Sequence, residues 1–387
     1  MSTLQKEWKS LWQGRFPQAL FYLVPIVLCL MFGAVYSCNT VRHIPTVILD
    51  QSQSSLSRNY IRLYDDSERF DIIAYADSSE EMEAMLKNST AYAAISIPKD
   101  FGKNIKIGSA GEAALIVNSA NNLIGNSALS SMREINKSFS AAVSTQLLES
   151  FDILPAHARE MVYPVHIGTR LLNNPANGYT PFMLPGLILN ALQVTMLITI
   201  APLFLKSLEQ REYRGNFPCL AGKLYAKILP HILLGMLSFF TALSIACLLF
   251  DIYIKGSLFL LALLLLVYLI AVTGILCLFS SLSPTPVLAL QIPLLYIMPG
   301  LLFSGLSWPT LSMTGFAAFY SAIMPMSYTA DTMRDILTGG YAPSLLHDCI
   351  VLLLMGIISF ILACCIYKLR LHYMHKKAAE PEEMPCI

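Results

Sequence analysis

The feature that most constrains this chain is a set of six apolar runs, each about as long as a membrane-crossing helix. A hydrocarbon core of roughly 30 Å needs about 20 helical residues to span it. No run contains Asp, Glu, Lys or Arg, each of which costs roughly 3 kcal/mol at the centre of a transmembrane helix. We therefore expect six transmembrane helices. The runs are 19–37, 182–205, 228–250, 257–282, 287–306 and 349–367.

Residues 39–178, between the first two runs, are patterned like a soluble domain. Short apolar runs alternate there with helical patterns, which predicts a small α/β domain with a mainly parallel sheet. A helical period of apolar residues from 122 to 151 predicts one long helix. The runs that predict strands are 46–49, 70–75, 91–97 and 113–117.

Basic residues are concentrated on one side of the predicted spans, which sets the orientation. The short loops of the other side contain two, Lys255 and Arg334. The positive-inside rule then predicts cytoplasmic termini and an extracytoplasmic 39–178 segment. The basic residues of the predicted cytoplasmic side are Lys6, Lys9, Arg15, Lys206, Arg211, Arg214, Lys223, Lys227, Lys368, Arg370, Lys376 and Lys377.

These observations predict an α-helical membrane protein of six transmembrane helices with an inserted extracytoplasmic α/β domain. Trp8 and Trp12 share a helical face before the first run, which is typical of a helix lying in the membrane interface. The first run could also be a signal peptide, but it is longer than the apolar core of a typical signal peptide, so we interpret it as an uncleaved anchor. The predicted domains are an interfacial helix at 1–17, the first span at 18–38, the outer domain at 39–178, five further spans at 179–368 and a cytoplasmic tail at 369–387.

The sequence offers no pattern for catalysis or for a metal site. His43, His157 and His166 lack the spacing of metal ligands. The nine cysteines all lie outside 40–180, so the outer domain has no disulfide framework. An ion-driven transporter or an intramembrane enzyme usually needs titratable groups at membrane depth, and the six runs contain no carboxylate. Both classes are therefore disfavoured.

Several ordered segments resemble the membrane subunits of type-2 ABC exporters, in particular those with a large outer domain between the first two spans. One is the strand, Asp and Ser-rich turn from Ile44 to Arg58, and another is "AAISIPKDFGKNIKIG" at 93–108. The others are "TRLLNNPANGYTPFMLPGLI" at 169–188, "LLFSGLSWP" at 301–309 and "MPMSYTADTMRDILTGG" at 324–340. The resemblance covers nearly the whole chain in the family's order.

The resemblance implies a half-transporter of a bacterial inner membrane. Its partners would be a cytoplasmic ABC ATPase, a second permease subunit (a copy or a paralogue) and the lipid bilayer, with a periplasmic adaptor left open and no nucleic acid. No GxxxxGK[ST] phosphate loop occurs in the sequence. ATP and Mg²⁺ are therefore expected on the partner ATPase, and no cofactor in this chain.

The resemblance also assigns roles near the membrane surfaces. Between the second and third spans, Glu209, Arg211, Glu212 and Arg214 resemble the patch on which the ATPase docks, although the segment 215–226 is shorter than in the family and lacks its Gly-Thr and acidic residues. A plain solvated loop is the alternative. For Trp8 and Trp12, a gating role and a simple anchor both stay open.

Polar residues within and beside the spans are the remaining candidates. Asn190, Gln193, Thr195 and Gln291 would either line a translocation path or form hydrogen bonds between helices. Residues 307–343 fit a re-entrant hairpin on the outer face, where Asp331, Arg334 and Asp335 would close an outer gate or cap the hairpin.

The sequence thus favours the permease subunit of an ATP-driven exporter for an amphipathic, lipid-like or drug-like substrate. The rival hypothesis is a membrane-anchored envelope scaffold or binding protein that acts through its outer domain.

Overall fold

The computed structural model describes residues 15–38, 40–151, 154–162, 173–174, 178–209 and 216–379. The chain forms two compact units. The first, hereafter the membrane unit, comprises Met1–Ser37 and Leu171–Ile387, and the second, hereafter the α/β unit, is Cys38–Arg170. The division lies close to the predicted 39–178 boundaries, with the last eight predicted residues falling in the membrane unit.

Within the described residues of the membrane unit, five helices are long and apolar enough to cross a bilayer. They belong to α7 (Tyr179–Glu209), α8 (Phe217–Leu249), α9 (Leu258–Leu282), the pair α10 (Pro286–Ile297) and α11 (Gly300–Phe303), and α14 (Leu345–Ala379). The last helix continues past the predicted end of the sixth span, so residues 369–379, assigned above to a cytoplasmic tail, are helical.

The first predicted span falls in α1 (Arg15–Tyr36), whose apolar part, Phe21–Tyr36, is shorter than the five crossing helices. Residues 15–17, assigned above to an interfacial helix, belong to the same helix as this span, since Pro17 is tolerated in a first turn. Phe21 and Cys29 are fully buried in the helical core. The Ser238 hydroxyl of α8 donates to the Phe21 carbonyl, and the Cys29 thiol donates to the Ala242 carbonyl at 3.5 Å.

The last helix packs most closely on α9, and two glycines make this approach possible. A Cβ on Gly274 would lie 2.3 Å from the Gly356 carbonyl oxygen, and one on Gly356 would lie 2.8 Å from the Ile270 carbonyl oxygen. Small residues at a crossing let two backbones approach within van der Waals contact. The two helices are therefore tightly joined along their middle.

The segment predicted as a re-entrant hairpin, 307–343, consists of short helical pieces. They are a 3₁₀ turn at Thr310–Ser312, α12 (Phe316–Ala322), α13 (Pro325–Arg334) and a π-helical turn at Asp335–Gly339. Gly340 ends the π turn at φ +80°, a backbone conformation that glycine adopts without strain. Met326, Ala330 and Met333 of α13 are buried in the helical core of the membrane unit.

The α/β unit contains a four-stranded sheet of order β2-β1-β3-β4. β1 is parallel to both β2 and β3, and β4 is antiparallel to β3. The strands are β1 (Ile44–Asp50), β2 (Phe70–Tyr75), β3 (Ala93–Ile97) and β4 (Ala114–Val117). The helices are α2 (Ser55–Asp65), α3 (Ser79–Lys87), α4 (Phe101–Lys106), α5 (Asn122–Glu149) and α6 (Pro155–Val162).

The two faces of the sheet bury different side chains because strand residues alternate between faces. Val47 and Leu49 belong to one core, with Met82 and Leu86 of α3. The opposite core contains the side chains of β1 and β3 that alternate with these, together with the rings of α2 and the start of α5: Ile44, Ile48, Ile95, Ile97, Tyr60, Tyr64, Ala128 and Met132.

Helix starts in this unit follow from side-chain caps. Ser54 accepts from the Ser57 amide at 3.0 Å while Ser57 accepts from the Ser54 amide at 3.0 Å, a reciprocal capping box. The Ser78 hydroxyl likewise accepts from the Glu81 amide at 3.2 Å. The Glu81 carboxylate reaches the Asp77 amide at 2.9 Å, one residue before the position that the capping pattern predicts.

Candidate translocation and coupling sites

Gln193 and Thr195 of the second span are buried and Asn190 is partly buried, and Gln193 joins two helices. The Tyr268 hydroxyl of α9 donates to the Gln193 side-chain oxygen at 2.9 Å, and both residues are buried. The Asn190 side-chain oxygen is also buried and has no hydrogen-bond partner among the described residues. Thr195 donates to the Ala191 carbonyl at 2.9 Å, within its own helix. Gln193 therefore links spans, while Asn190 retains an unused acceptor.

Gln291 differs from these residues because it lies on an exposed face of α10. Its neighbours Ile292, Leu294 and Leu295 are exposed as well. Lipid tails cannot satisfy the hydrogen bonds of an amide, so an amide at membrane depth must face protein or water. The exposed face around Gln291 is therefore not a plain lipid-facing surface.

Arg334 is the centre of the polar cluster at the end of the bundle where α7 begins. It forms an ion pair with Asp331 at 3.3 Å, donates to the Gly305 carbonyl at 3.2 Å and lies 4.4 Å from the centre of the Phe182 ring. These contacts join α13 to the start of α7 and to the chain that follows α11. Asp331 and Arg334 are three residues apart on α13, which places them on one face of the helix.

Burial acts in the same direction on the two carboxylates of this cluster. Burial raises the pKa of Asp331, and the Arg334 guanidinium opposes that shift. Burial also raises the pKa of Asp335, which opens the π turn. Gly305 has φ +82°, and a Cβ there would lie 3.3 Å from the Asp331 carboxylate. A glycine thus leaves room for the ion pair.

Beside this cluster, Asp348 at the start of the last helix binds α13. The Thr332 hydroxyl donates to the Asp348 carboxylate, which is buried. Its other oxygen lies 3.0 Å from the His347 ring nitrogen Nδ1. Asp348 directly precedes the predicted apolar run 349–367.

A second polar cluster, hereafter the clasp, lies at the opposite end of the bundle. The Lys227 ammonium donates to the Ser207 hydroxyl at 2.8 Å, and both side chains are buried. The Tyr367 hydroxyl donates to the Ser207 carbonyl at 2.7 Å. Arg370, one turn after Tyr367, donates to the carbonyls of Ser281 and Ser283 at 2.7 Å each. The clasp therefore joins the ends of α7 and α9 to α8 and to the last helix.

The α/β unit has an open groove of about 740 Å³ between α5 and the 108–114 segment. Its base contains Tyr60 and Phe139, whose ring centres lie 4.8 Å apart. Phe101 stacks on Phe139 at 6.1 Å. Ser140 and Ser144 contribute to a polar wall. The groove combines an aromatic base with hydroxyl-bearing walls, as small-molecule and peptide sites do.

The sequence matches the model of the family described as ABC-2 family transporter protein over residues 18–365. The chain belongs to this family. It also resembles the probable multidrug ABC transporter permease YbhS of Escherichia coli K12, and of Escherichia coli O157:H7, at 25% identity over 207 residues in each case. That alignment covers 51% of this chain and 53% of each relative, so the chain spans about half the length of the curated relatives it matches.

Membership of the ABC-2 family, together with the apolar helices, identifies a multi-pass membrane protein of the permease type. Within the described residues, no group of His, Cys, Asp and Glu could hold a metal ion. Of the predicted ATPase-docking residues, Glu209 is the last residue of α7. Arg211, Glu212 and Arg214, like Trp8 and Trp12, lie outside the described residues, so their roles stay predictions.

The sequence patterns did not predict two of the described polar clusters. The clasp combines residues that stand at the ends of apolar runs, and the Asp348–Thr332 contact joins residues 16 positions apart. The spacing of Tyr367 and Arg370 on one face of a helix was an available signal. The acceptors of their hydrogen bonds could not be predicted in this way, because a pattern of side chains does not show which backbone carbonyls of other helices lie nearby.

Proposed function

We propose that this chain is the permease subunit of an ATP-driven exporter that moves an amphipathic, lipid-like or drug-like substrate out of the cytoplasm or inner leaflet. The observation that carries this proposal is the family match over residues 18–365. The similarity to a probable multidrug permease supports the class of substrate. The mostly apolar spans, with buried amides at Asn190 and Gln193, would suit such a substrate better than an ion.

A cytoplasmic ABC ATPase would supply the energy, binding ATP and Mg²⁺ in a separate polypeptide. A second permease subunit would complete the translocation path. The exposed amide of Gln291 supports this partner, because another subunit or a path between two subunits would satisfy its hydrogen bonds.

The orientation is part of the proposal. The clasp residues Lys227 and Arg370 lie at the end of the bundle that is rich in basic residues, which the positive-inside rule places in the cytoplasm. The Arg334 cluster would then lie at the outer face and the α/β unit outside. In this arrangement α1 is the first of six spans, and its buried contacts with α8 support that role.

The test is to purify the chain with its candidate ATPase, reconstitute both in vesicles and measure ATP-dependent transport of ethidium, a cationic amphipathic dye. We expect the two proteins to copurify, and ATP but not a proton gradient to drive dye movement out of the cytoplasmic side. If no ATPase associates with the chain, or if transport persists without ATP, the proposed function is wrong.

The groove of the α/β unit favours a second candidate function, namely binding of an envelope protein such as a periplasmic adaptor. Ser144→Trp would fill the groove, whereas Ser138→Trp would add the same ring at an exposed position of the same helix that does not line it. A pure scaffold predicts that Ser144→Trp abolishes cellular function while Arg211→Glu and Arg214→Glu have no effect. An exporter predicts that the two arginine substitutions abolish it.

A further inference from the structure

The clasp closes the base of the segment on which the ATPase is proposed to dock. Ser207 lies near the end of α7, before this segment, and Lys227 lies in α8, after it. Their 2.8 Å hydrogen bond joins α7 to α8 at the two ends of this segment. Ser207 also donates to the Leu203 carbonyl at 2.9 Å, so its hydroxyl is fixed to its own helix while it accepts from Lys227. A displacement of the docking segment would therefore reach both helices together.

The last helix is attached to this base through Tyr367. Helices end with carbonyl groups that have no partner within the helix and with a partial negative charge. Tyr367 satisfies such a carbonyl at the end of α7, and Arg370 satisfies two at the end of α9. Both donors are on the last helix, so this helix is hydrogen-bonded to the ends of two other spans, α7 and α9.

The opposite end of the last helix is attached to α13. Asp348 accepts from Thr332, and two residues further along α13 lies Arg334, which contacts Phe182 and Gly305. The last helix therefore has polar attachments at both ends.

Between these two ends the last helix has close backbone packing against α9. The Gly274 and Gly356 contacts lie between the two polar attachments and leave no room for another side chain. The rise of about 1.5 Å per residue places Cys349 about 27 Å from Tyr367 along the helix. Close-packed interiors have low compressibility and transmit strain, so a displacement at one end of this helix can reach the other.

We propose that Lys227 and Tyr367 are positioning residues of the transport cycle, because they fix the base of the ATPase-docking segment to the last helix, which carries its displacement to α13. The proposal rests on the proposed function, since it presupposes an ATPase at the 208–226 segment. Arg370 supports the same attachment through α9. Neither Lys227 nor Tyr367 needs to touch the transported substrate in this role.

Cys349 provides a native reporter at the far end of the last helix. It is partly buried and follows Asp348 directly. The full chain, in complex with its ATPase in nanodiscs, is treated with a thiol reagent in the nucleotide-free state and after trapping with ATP, Mg²⁺ and vanadate. Mass spectrometry then gives the labelling rate of Cys349 separately from the other cysteines. For the wild-type complex we expect this rate to change about fivefold on trapping, the lower end of usual coupling between sites.

Tyr367→Phe removes one hydroxyl, and Lys227→Met removes the ammonium at similar length. In both variants we expect the change at Cys349 to fall below about twofold, while ATP hydrolysis and copurification of the ATPase persist. The matched controls are Tyr373→Phe and Lys368→Met. Both alter exposed residues of the last helix and should retain the wild-type change in Cys349 labelling.

The outcomes separate this proposal from the proposed function. If no ATPase copurifies with the wild-type chain, the proposed function fails and the positioning role fails with it. If the ATPase binds and hydrolyses ATP but Cys349 labelling does not respond to trapping, or if both clasp variants respond like the wild type, only the positioning role is overturned. Should Lys227→Met not assemble, Tyr367→Phe decides the question, since it removes one hydroxyl and keeps the ring.

Discussion

The α/β unit and the membrane unit place their charged groups in opposite ways. In the α/β unit the ion pairs are on the surface, as between Arg42 and Glu68 or Lys87 and Glu83. In the membrane unit Lys227 and Asp348 are buried, and each binds a hydroxyl of a neighbouring helix. Water solvates a charge on the first unit, whereas the second must solvate its charges with its own side chains and carbonyls. Neighbouring helices therefore satisfy the buried charges of the membrane unit, whereas water satisfies the surface charges of the α/β unit.

The largest expected effect lies in the core of the α/β unit. Ile48 on the central strand β1 is fully buried, so Ile48→Ala leaves a cavity and should lower the free energy of unfolding by about 3 kcal/mol. Ile107→Ala, at a residue 68% exposed, is the matched control and should change it by less than about 0.5 kcal/mol. Hydrogen exchange of the β1 and β3 amides in the full chain measures both, and similar losses of protection in the two variants would contradict the assigned core.

In the membrane unit, backbone contact rather than side-chain volume should limit stability. Gly274→Ala places a methyl group 2.3 Å from the Gly356 carbonyl oxygen, so we expect a loss of about 2 kcal/mol from overpacking. Gly222→Ala is the control, since a Cβ there meets nothing within 4 Å. Thermal unfolding in detergent compares the two variants. A wild-type midpoint for Gly274→Ala would mean that α9 and the last helix are not in backbone contact.

A pH titration should report on the core of the α/β unit, because Tyr60 and Tyr64 of α2 are buried against one face of its sheet. Burial raises the pKa of Tyr64, and Tyr60 raises it further. A raised pKa means that Tyr64 stabilises the fold fully below its unfolded pKa of about 10 and less as the pH rises above it. We expect the unfolding free energy of the α/β unit to fall by up to about 1.4 kcal/mol per pH unit above pH 10.

Replacing the ionising group tests this assignment. Tyr64→Phe should reduce the alkaline slope but not abolish it, since burial also raises the pKa of Tyr60. Tyr75→Phe, at a residue 63% exposed, should leave the slope unchanged. Thermal midpoints between pH 9 and pH 11 give the slopes. Equal slopes in the wild type and in Tyr64→Phe would show that another group controls alkaline unfolding.

The smallest effect should come from surface charge in the α/β unit. Lys87 and Glu83 form an exposed pair at 3.0 Å, one helical turn apart. Water and salt screen such a pair, so Lys87→Ala should cost less than about 0.5 kcal/mol. Denaturant unfolding of the full chain at low and high salt measures the cost. A cost above about 1 kcal/mol would mean that surface charge contributes more to the stability of the α/β unit than screening by water allows.

The patterns along the chain predicted elements better than they predicted contacts. The four strands lie within a few residues of the predicted runs, and the long helix predicted at 122–151 is α5 at Asn122–Glu149. The spans from α7 onward also match the predicted runs. The hydrophobic period of a segment depends only on its own residues, so it predicts an element without knowing what that element packs against.

The candidate sites show where this local information ends. Spacing on one helix placed Asp331 and Arg334 together, since residues three apart share a face. It did not reveal that Gln193 binds Tyr268, or that Arg334 lies against Phe182. Those partners lie on other helices, so they depend on which helices pack against each other.

The sequence by itself determined which residues enter the membrane, which alternate into a sheet and which family the chain resembles, because each of these depends on composition and period along the chain. Only the tertiary structure decided that a buried lysine, a serine and a tyrosine from three helices meet in the clasp, and that Asp348 binds Thr332. The physical reason is that a buried polar group must find its partner wherever packing brings one, and several arrangements of the same helices would satisfy the same apolar pattern.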